Sequence, residues 1–593
     1  MLEKTPCIGL TVDMMHSSGP IIADLAALLQ SLDGKPFGSY RLLLHKVFAG
    51  DRCTVRFCHI QGSPGAFPAS VCQLDLYHAD LGLADWSLAT APRRLATADY
   101  LIRAFAAGVE RHGRQHRGTQ GSGSFQPLTL PPQVLERNLV RFGENNVHLA
   151  FRISLPGSRD NRVLGRQAAE MFAVEFAGIV ESLRCAVGET RQLRRHCEVV
   201  EDMVALQGQL DYYGLVAFVG DGSVLPRASG ISQEPLTGAV PFHAPEELAV
   251  TVTLQNGEQC RGLGIRPGVN VVIGGGFHGK STLLNGLVKA VYPHVPGDGR
   301  ERVVTHPEAV FVSAEEGRAV TQLDISGFVG NLPGGAETTR FSTANASGST
   351  SQAAAIVEAV QAGARFLLLD EDSSAANLLI KDRNMRRLIP EDPITSLFDR
   401  VRELYHDFSV STIMAVGGSS EYLGVADQVI GMRNYLPVDM TGQVRGLTLP
   451  QPEKPAKPLT LSDNRRVLAE SFDPSFLAGR IGKTLPVRIK PLRLQERILE
   501  YGNERLDLMK LSALVDPDQV LAIGYGLLMA KDLCRSRSLS PSALAELLAG
   551  LFGKDGLGIL VPKKEDFLFL ARPRRLELAA AINRLRSLKV ESC

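Results

Sequence analysis

Short apolar runs that end in glycine or in polar residues recur along the chain, as is typical of buried parallel strands followed by loops. The clearest of them occupy residues 271–273, 366–369 and 411–416. Alternating apolar and polar residues at 53–57 and 250–254 predict strands with one solvated face. The spacing of apolar residues predicts helices over 165–183 and 353–362. The pattern therefore predicts an α/β protein.

One of these runs leads directly into a phosphate-binding loop. After residues 271–273 the chain reads Gly-Gly-Gly-Phe-His-Gly-Lys-Ser, which satisfies G-x-x-x-x-G-K-[ST]. Glycines let backbone N–H groups point at phosphate oxygens, Lys280 adds positive charge near the β and γ phosphates, and Ser281 ligates Mg²⁺. ATP and Mg²⁺ are therefore the predicted ligands. The predicted nucleotide-binding residues are Gly274, Gly275, Gly276, Phe277, His278, Gly279, Lys280, Ser281 and Thr282.

The apolar run 366–369 ends in two adjacent carboxylates, Asp370 and Glu371. Side chains alternate along a strand, so the two carboxylates point in different directions. In this position Asp370 is predicted to support Mg²⁺ together with Ser281, and Glu371 to act as the general base that polarises the attacking water. Lys280 and Glu371 are thus the predicted catalytic residues. The alternative is an acidic strand end followed by a helix cap.

A small polar loop, Asn345 to Gln352, precedes the helix that leads into this acidic strand. A glycine-containing loop at a helix N-terminus is an anion site, and its spacing to the acidic strand is that of the signature loop of ABC ATPases. In those proteins the signature loop of one subunit completes the nucleotide site of another. Ser347, Gly348 and Ser349 are therefore predicted to bind nucleotide, with a plain helix cap as the alternative.

The run 411–416 ends in Gly-Gly-Ser-Ser, where ABC ATPases usually carry a switch histidine. Ser419 and Ser420 stand there instead, so we expect any contact to the γ-phosphate to come from a hydroxyl or a backbone amide. Phe242 and His243 are the candidates for an adenine-stacking side chain.

Composition narrows the class of protein. The 593 residues carry a net charge of +1, so any contact with nucleic acid must come from local clusters of cations. No apolar stretch approaches the roughly 20 residues that a membrane span needs, which predicts a soluble intracellular protein. The 9 cysteines, an odd number, fit a reducing compartment. Residues 1–6 show neither a secretory nor an organelle presequence pattern.

Proline and turn residues suggest where the domains divide. Residues 450–458 form a proline-rich stretch that predicts a semi-rigid linker, and residues 222–245 carry turn residues with little periodicity. The predicted parts are an N-terminal α+β domain at 1–235, a P-loop ATPase core at 236–449, the linker at 450–458 and a C-terminal domain at 459–593.

Four motifs resemble those of the predicted ATPases of the ABC class, a soluble family. The motifs are Asp370–Asn377, Val416–Tyr422, Leu164–Met171 and Leu570–Arg575. They lie in separate regions, so the resemblance covers nearly the whole chain. It implies an ABC-type nucleotide-binding core, flanked by N- and C-terminal domains particular to the family. It further implies ATP hydrolysis by a homodimer that forms a ring with a basic central pore for RNA.

The chain is also similar to the trypanosomatid mitochondrial member of that family, an accessory protein of kinetoplastid RNA editing. This similarity implies a place in the mitochondrial matrix and an RNA-editing protein complex as a partner.

Two basic segments are candidates for contact with RNA. The first lies in a predicted flexible loop with no acidic residue before Glu136, and alternation over 487–490 places two cations on one strand face. Aromatic residues do not interleave with either segment, which favours sequence-tolerant backbone contacts. A solvated loop and a solvated edge strand are the alternatives. The predicted RNA-binding residues are Arg111, Arg114, Arg117, Lys483, Arg488 and Lys490.

Three other functions stay open. A P-loop kinase would use the same phosphate loop for transfer to a small molecule, without a signature loop from another subunit. A scaffold with nucleotide as a structural ligand is suggested by the missing switch histidine. An ATP-dependent regulator of a protein complex would need no RNA contact.

Overall fold

The computed structural model describes residues 23–592, except 51, 67, 115–116, 382, 390, 456, 474–487, 490–496, 503 and 562–567. Internal contacts divide the described chain into two compact units. The first contains residues 23–84, 101–128 and 139–189, and the second contains residues 85–100, 129–138 and 190–592. The domain boundaries predicted at 235 and at 450–458 stay predictions.

The first unit is built on an antiparallel sheet in the order β1-β2-β3-β6-β4, with β5 also paired to β6. A π-helical turn, Met171–Phe176, joins α4 to α5, so the helix predicted over 165–183 forms with one distortion. Helix α3 includes residues of both units. The elements are β1 Val47–Gly50, β2 Cys53–His59, β3 Ser70–Tyr77, β4 Ser124–Phe125, β5 Val140–Phe142, β6 Asn146–Ser154, α1 Ala23–Ser31, α2 His78–Leu81, α3 Ala91–His112, α4 Gly165–Glu170 and α5 Ala177–Gly188.

The second unit contains a mixed sheet in the order β12-β15-β16-β10-β17-β18, in which only the β17–β18 pairing is antiparallel. A second, antiparallel sheet has the order β11-β7-β9-β8. The strands are β7 Ala217–Gly220, β8 Ala249–Thr253, β9 Gln259–Ile265, β10 Val269–Ile273, β11 Val303–Thr305, β12 Ala309–Phe311, β13 Val320–Leu323, β14 Phe341–Thr343, β15 Phe366–Asp370, β16 Ser411–Val416, β17 Gln428–Arg433, β18 Leu436–Asp439, β19 Arg465–Val467, β20 Arg488–Ile489, β21 Ile498–Tyr501, β22 Glu504–Asp507 and β23 Val590–Ser592.

Helices cover the mixed sheet and form much of the C-terminal part of the second unit. Proline, which fits the first turn of a helix, begins both α13 and α14. The helices are α6 Thr190–Gln209, α7 Lys280–Lys289, α8 Gly348–Gln361, α9 Ala376–Leu379, α10 Arg383–Leu388, α11 Leu397–Phe408, α12 Thr441–Arg445, α13 Pro517–Ser536, α14 Pro541–Asp555 and α15 Arg575–Arg584.

The two faces of the mixed sheet pack on different hydrophobic clusters. Leu367 and Leu369 belong to the cluster that contains the apolar side chains of α8, whereas Phe366 and Leu368 belong to the cluster that contains those of α7. Successive side chains of a strand point to opposite faces, so α7 and α8 cover opposite faces of the sheet. A strand buried on both faces needs an unbroken apolar run, which is why this strand could be recognised from the sequence.

The predicted fold class is confirmed. The described residues have the α/β core expected from the apolar runs, and β8, β10, β15 and β16 form where strands were predicted. Among the described residues, no helix combines the length and the apolar character needed to span a membrane.

Helix α8 is held by a buried ion pair between Arg318 and Glu358. The guanidinium donates to both carboxylate oxygens, at 2.5 and 2.6 Å, and both side chains are almost fully buried. Removal of one partner would leave an uncompensated charge in the core. We therefore expect Arg318→Ala to lower the free energy of unfolding by about 3 kcal/mol, measured by chemical denaturation.

The matched control is Arg318→Met combined with Glu358→Met, which removes both charges and keeps most of the volume. We expect this double variant to be closer to wild type than Arg318→Ala. Equal destabilisation of the two proteins would show that lost packing, rather than an unpaired charge, decides the effect.

Candidate functional site

The predicted phosphate loop lies between β10 and α7, at the carboxyl edge of the mixed sheet. Gly274 has φ +152°, and a Cβ there would lie 2.6 Å from the Met432 carbonyl oxygen, so a side chain does not fit. The Lys280 ammonium donates to the carbonyl oxygens of Gly274 and Gly275, at 2.7 and 3.1 Å. The loop therefore folds around its own lysine and leaves Gly275 and Gly276 exposed.

The acidic strand brings its carboxylates to the same edge. In the register of the sheet, Asp370 of β15 is level with Ala415 of β16, and Ala415 is level with Val272 of β10. Because the three strands are parallel, their carboxyl ends lie side by side. The Asp370 carboxylate accepts a hydrogen bond from the Asp372 backbone N–H at 3.2 Å.

Glu371 is held by the backbone just beyond the end of β16. One of its carboxylate oxygens, Oε2, accepts hydrogen bonds from the N–H groups of Gly417 and Gly418, at 2.5 and 3.0 Å. A Cβ built on Gly417 would lie 3.6 Å from Lys280 Nζ and 3.7 Å from Glu371 Oε2. The lysine of the phosphate loop and the predicted base therefore both lie close to Gly417.

The hydroxyl of Ser419, which stands in place of a switch histidine, does not bind Glu371. The Ser419 hydroxyl instead donates to the Glu421 carboxylate. The backbone N–H groups of Gly417 and Gly418 at this strand end donate to Glu371, and the expected contact to the γ-phosphate stays a prediction. Spacing alone could not identify these donors, because a backbone N–H carries no sequence signal.

The predicted signature loop caps α8. The Ser347 hydroxyl accepts from the Thr350 N–H at 3.4 Å, and Ser349 donates to the Asn377 side-chain oxygen at 2.5 Å. Gln352 binds the same segment, with its side-chain oxygen accepting from the Ala375 N–H at 2.8 Å. These bonds join the signature loop to the residues that come after the acidic strand.

Side chains from the C-terminal part of the second unit support the signature loop. Arg586 donates to the carbonyl oxygens of Ala344 and Gly317, at 2.6 and 2.8 Å. The Gly317 N–H in turn donates to the Ala346 carbonyl oxygen at 2.8 Å. Arg584 adds an ion pair with Glu315 at 2.9 Å. The sequence did not identify these arginines, because their partners are mostly backbone atoms far away along the chain.

The two candidate adenine-stacking residues differ in exposure. Phe242 is buried in the cluster that contains α7, so its ring is not available to a base. His243 is exposed and lies 3.2 Å from the Asp221 carboxylate.

Oxygen ligands suited to Mg²⁺ are present at this edge. Ser281 is exposed at the start of α7. Asp370 is the last residue of β15, the strand that pairs with β16. In the part of the chain that the structure describes, no group of three or more His, Cys, Asp or Glu side chains could hold a metal. Mg²⁺ commonly binds through one or two protein groups plus substrate phosphates.

The first basic segment is partly helical rather than a loop throughout. Arg111 lies in the last turn of α3. Arg114 is largely exposed and pairs with Glu170 at 3.1 Å. Arg117 is mostly buried and pairs with Glu170 and with the buried Glu175. Arg111 and Arg114 are thus the accessible arginines among these three.

The second basic segment is mostly outside the described residues, which exclude Lys483 and Lys490. Arg488 lies in β20, which pairs with β21. The RNA-binding prediction for these residues stays a prediction.

Family models match three parts of the chain. A model of the ABC-class ATPase N-terminal region matches residues 22–186, an ABC ATPase P-loop domain model matches residues 189–464, and an MRB1590 C-terminal domain model matches residues 494–591.

A curated relative is the uncharacterized protein MJ1628 of Methanocaldococcus jannaschii, which is 32% identical over 184 residues. The matched region is 30% of this chain, and the chain spans 41% of the length of that relative. Among solved structures, cbiO1 from Clostridium perfringens, part of the ABC transporter complex cbiONQ, is similar at 14% identity with a TM-score of 0.22, over 39% of this chain and 91% of that chain.

The helix that begins with Lys280 ends at a partly buried lysine, Lys289, which donates to the Ser512 carbonyl oxygen. Burial lowers the pKa of Lys289 to about 7, and the charges of Arg497 and Arg300 act in the same direction. In the unfolded chain this pKa is about 10.4, so between these values the unfolded state binds more protons than the folded state. The free energy of unfolding should therefore rise with pH across this window.

Lys289→Met should remove the contribution of Lys289 to the pH dependence of the free energy of unfolding. We expect the wild type to gain stability relative to the variant between pH 7 and pH 9, in melting temperatures measured in parallel. Lys554→Met, at an exposed lysine in the last turn of α14, is the control and should behave like the wild type. Identical pH dependence of wild type and Lys289→Met would contradict the lowered pKa.

Proposed function

The chain belongs to the ATPases of the ABC class, and on that premise we propose that it binds and slowly hydrolyses ATP as a homodimer that also binds RNA. The observation that supports the ATPase part is that Lys280 and Glu371 both lie close to Gly417. When water attacks a γ-phosphate, an ammonium group binds the phosphates and a carboxylate accepts the proton from water.

In the proposed reaction Lys280 leaves the carbonyl oxygens of its own loop and binds the β and γ phosphates. Glu371 accepts a proton from water as the water oxygen bonds to the γ-phosphorus. The bond from that phosphorus to the β–γ bridging oxygen breaks, and ADP and phosphate are the products. Mg²⁺, held by Ser281 and supported by Asp370, would neutralise charge on the phosphates.

A second copy of the chain is needed to bring a signature loop to this site. The helices α7 and α8 cover opposite faces of the sheet. The start of α8 is bound to the residues that follow β15, through Ser349 with Asn377 and Gln352 with Ala375, so the predicted signature loop lies toward the carboxyl edge on the face away from α7. Ser347, Gly348 and Ser349 are therefore proposed to bind the phosphates held by the partner.

The general-base assignment predicts a separation of hydrolysis from binding. Glu371→Gln keeps the hydrogen-bond acceptor but cannot take a proton at neutral pH. We expect phosphate release from ATP to fall by at least about 100-fold while ATP affinity is retained. Lys280→Ala should lose ATP affinity. Calorimetric titration with ATP and a phosphate-release assay measure the two effects.

Glu337→Gln, at an exposed glutamate in the loop before β14, is the matched control and should hydrolyse ATP like the wild type. Undiminished phosphate release by Glu371→Gln would show that another group is the base. Phosphate transfer that depends on an added small-molecule acceptor would favour the kinase alternative.

RNA binding is proposed on the similarity to the RNA-editing member of the family and on the match to the MRB1590 C-terminal domain. The contact would be made by Arg111 and Arg114, which are exposed, and by Lys483, Arg488 and Lys490. Arg117 would act mainly by holding Glu175 and the nearby backbone. An accessory role in an RNA-editing complex of the mitochondrial matrix rests on the same similarity.

The pairing of Arg114 and Arg117 with glutamates favours one alternative. Guanidinium groups already paired with carboxylates must exchange those partners before they bind phosphates. A regulator of a protein complex that makes no RNA contact is therefore the second candidate function.

Salt dependence separates these two candidates. If the exposed arginines contact the RNA backbone, the wild type should bind single-stranded RNA with an affinity that falls as salt increases, and Arg111→Ala with Arg114→Ala should weaken binding and flatten that slope. Fluorescence anisotropy across a salt series measures both effects.

The charge-matched control is Arg52→Ala with Arg56→Ala, at two exposed arginines of the same unit. It should leave the salt slope unchanged. Absence of RNA binding by wild type at physiological salt would exclude the RNA function and leave the protein-complex regulator.

A further inference from the structure

The turn between β17 and β18 has a residue that turns of this kind do not favour. Arg433 pairs with Leu436, so the loop consists of Asn434 and Tyr435. Both have left-handed φ angles, 48° and 70°, as in a type I′ turn. Asn-Gly is the preferred sequence there, because a side chain at positive φ is strained. Tyrosine therefore occupies a position where glycine would be more stable.

This turn is attached to the phosphate loop. The Asn434 N–H donates to His278 Nδ1 at 2.9 Å, and the Tyr435 N–H donates to the His278 carbonyl oxygen at 3.2 Å. The Tyr435 ring lies against the loop, since a Cβ built on Gly279 would be 3.4 Å from Tyr435 Cδ1. His278 thus fixes the position of an aromatic ring beside Gly279, directly before Lys280.

The ring is also left in solvent, because 51% of the Tyr435 surface is exposed. An exposed aromatic ring on a strained backbone lowers the stability of the isolated chain. Such features persist where they serve a function. A nucleotide whose phosphates are bound in the adjoining loop would bring an apolar, planar surface to this edge.

We infer that Tyr435 is the contact for the nucleoside part of the bound nucleotide, with its ring packed on the base or the ribose. This inference rests on the proposed binding of ATP at the phosphate loop and extends it to the recognition of the nucleoside. It assigns a role that Phe242, which is buried, does not fill. Any base can stack on an aromatic ring. The contact therefore distinguishes nucleotides from bare polyphosphate more strongly than it distinguishes one base from another.

The test compares ATP with inorganic tripolyphosphate, a probe that has the phosphates but no nucleoside. Tyr435→Asn removes the ring and places a residue that tolerates left-handed φ. We expect its affinity for ATP to fall about tenfold, the low end of the effect of one stacked ring, with unchanged affinity for tripolyphosphate. Titration calorimetry in the presence of Mg²⁺ measures both ligands.

Two variants serve as controls. Tyr435→Phe keeps the ring and should bind ATP like the wild type. Tyr212→Ala removes a tyrosine that is 84% exposed and whose ring contacts Tyr213, and should also bind ATP like the wild type. The nucleotide-free melting temperature of Tyr435→Asn should be no lower than that of wild type, which checks that the turn is intact.

Wild-type affinity of Tyr435→Asn for ATP would overturn the inference while leaving the proposed ATP site standing. Equal losses for ATP and for tripolyphosphate would also overturn it, because the variant would then have disturbed the phosphate loop. If the wild type binds neither ATP nor tripolyphosphate, the proposed function fails and the inference fails with it.

Discussion

The alignment of three parallel strand ends is the constraint on which the nucleotide site depends. Backbone hydrogen bonds set Val272, Ala415 and Asp370 level with one another, so the segments that leave the three strands emerge at one edge. The phosphate loop leaves β10, Gly417 lies just after β16 and Glu371 just after β15. A shift of one residue in either pairing would turn the side chains of the strand to the other face of the sheet. The buried clusters on both faces disfavour such a shift. The sheet thus brings the predicted catalytic groups to one edge.

The C-terminal part of the second unit supports the predicted signature loop. Arg586 binds two backbone carbonyl groups near that loop, and Glu504 accepts from the backbone N–H groups of Arg586 and Ser587. Charge-assisted hydrogen bonds to backbone atoms fix a loop more firmly than contacts between exposed side chains. Arg586 therefore ties the C-terminal part to the backbone that precedes the predicted signature loop.

The sequence predicted the features that depend on local patterns. The strands β10, β15 and β16 and the phosphate loop could be located because their residue types are required by burial on two faces and by close approach of backbone to phosphate. The contacts of Glu371 with Gly417 and of Tyr435 with the phosphate loop could not be predicted. They involve backbone atoms and join segments that are distant in the sequence. Arg117 shows another limit of local patterns, since a run of cations does not reveal that Glu175, far along the chain, pairs with one of them.

In the proposed dimer, a nucleotide site combines the phosphate loop of one chain with the signature loop of another. This arrangement is tested most directly by mixing two inactive variants, Lys280→Ala and Ser347→Asp, and measuring phosphate release from ATP. Aspartate still caps α8 but places a negative charge against the phosphates. We expect each variant alone to be inactive and the mixture to regain part of the wild-type rate, because mixed dimers contain one intact site. A mixture that stays inactive, or a Ser347→Asp protein with full activity, would contradict this arrangement.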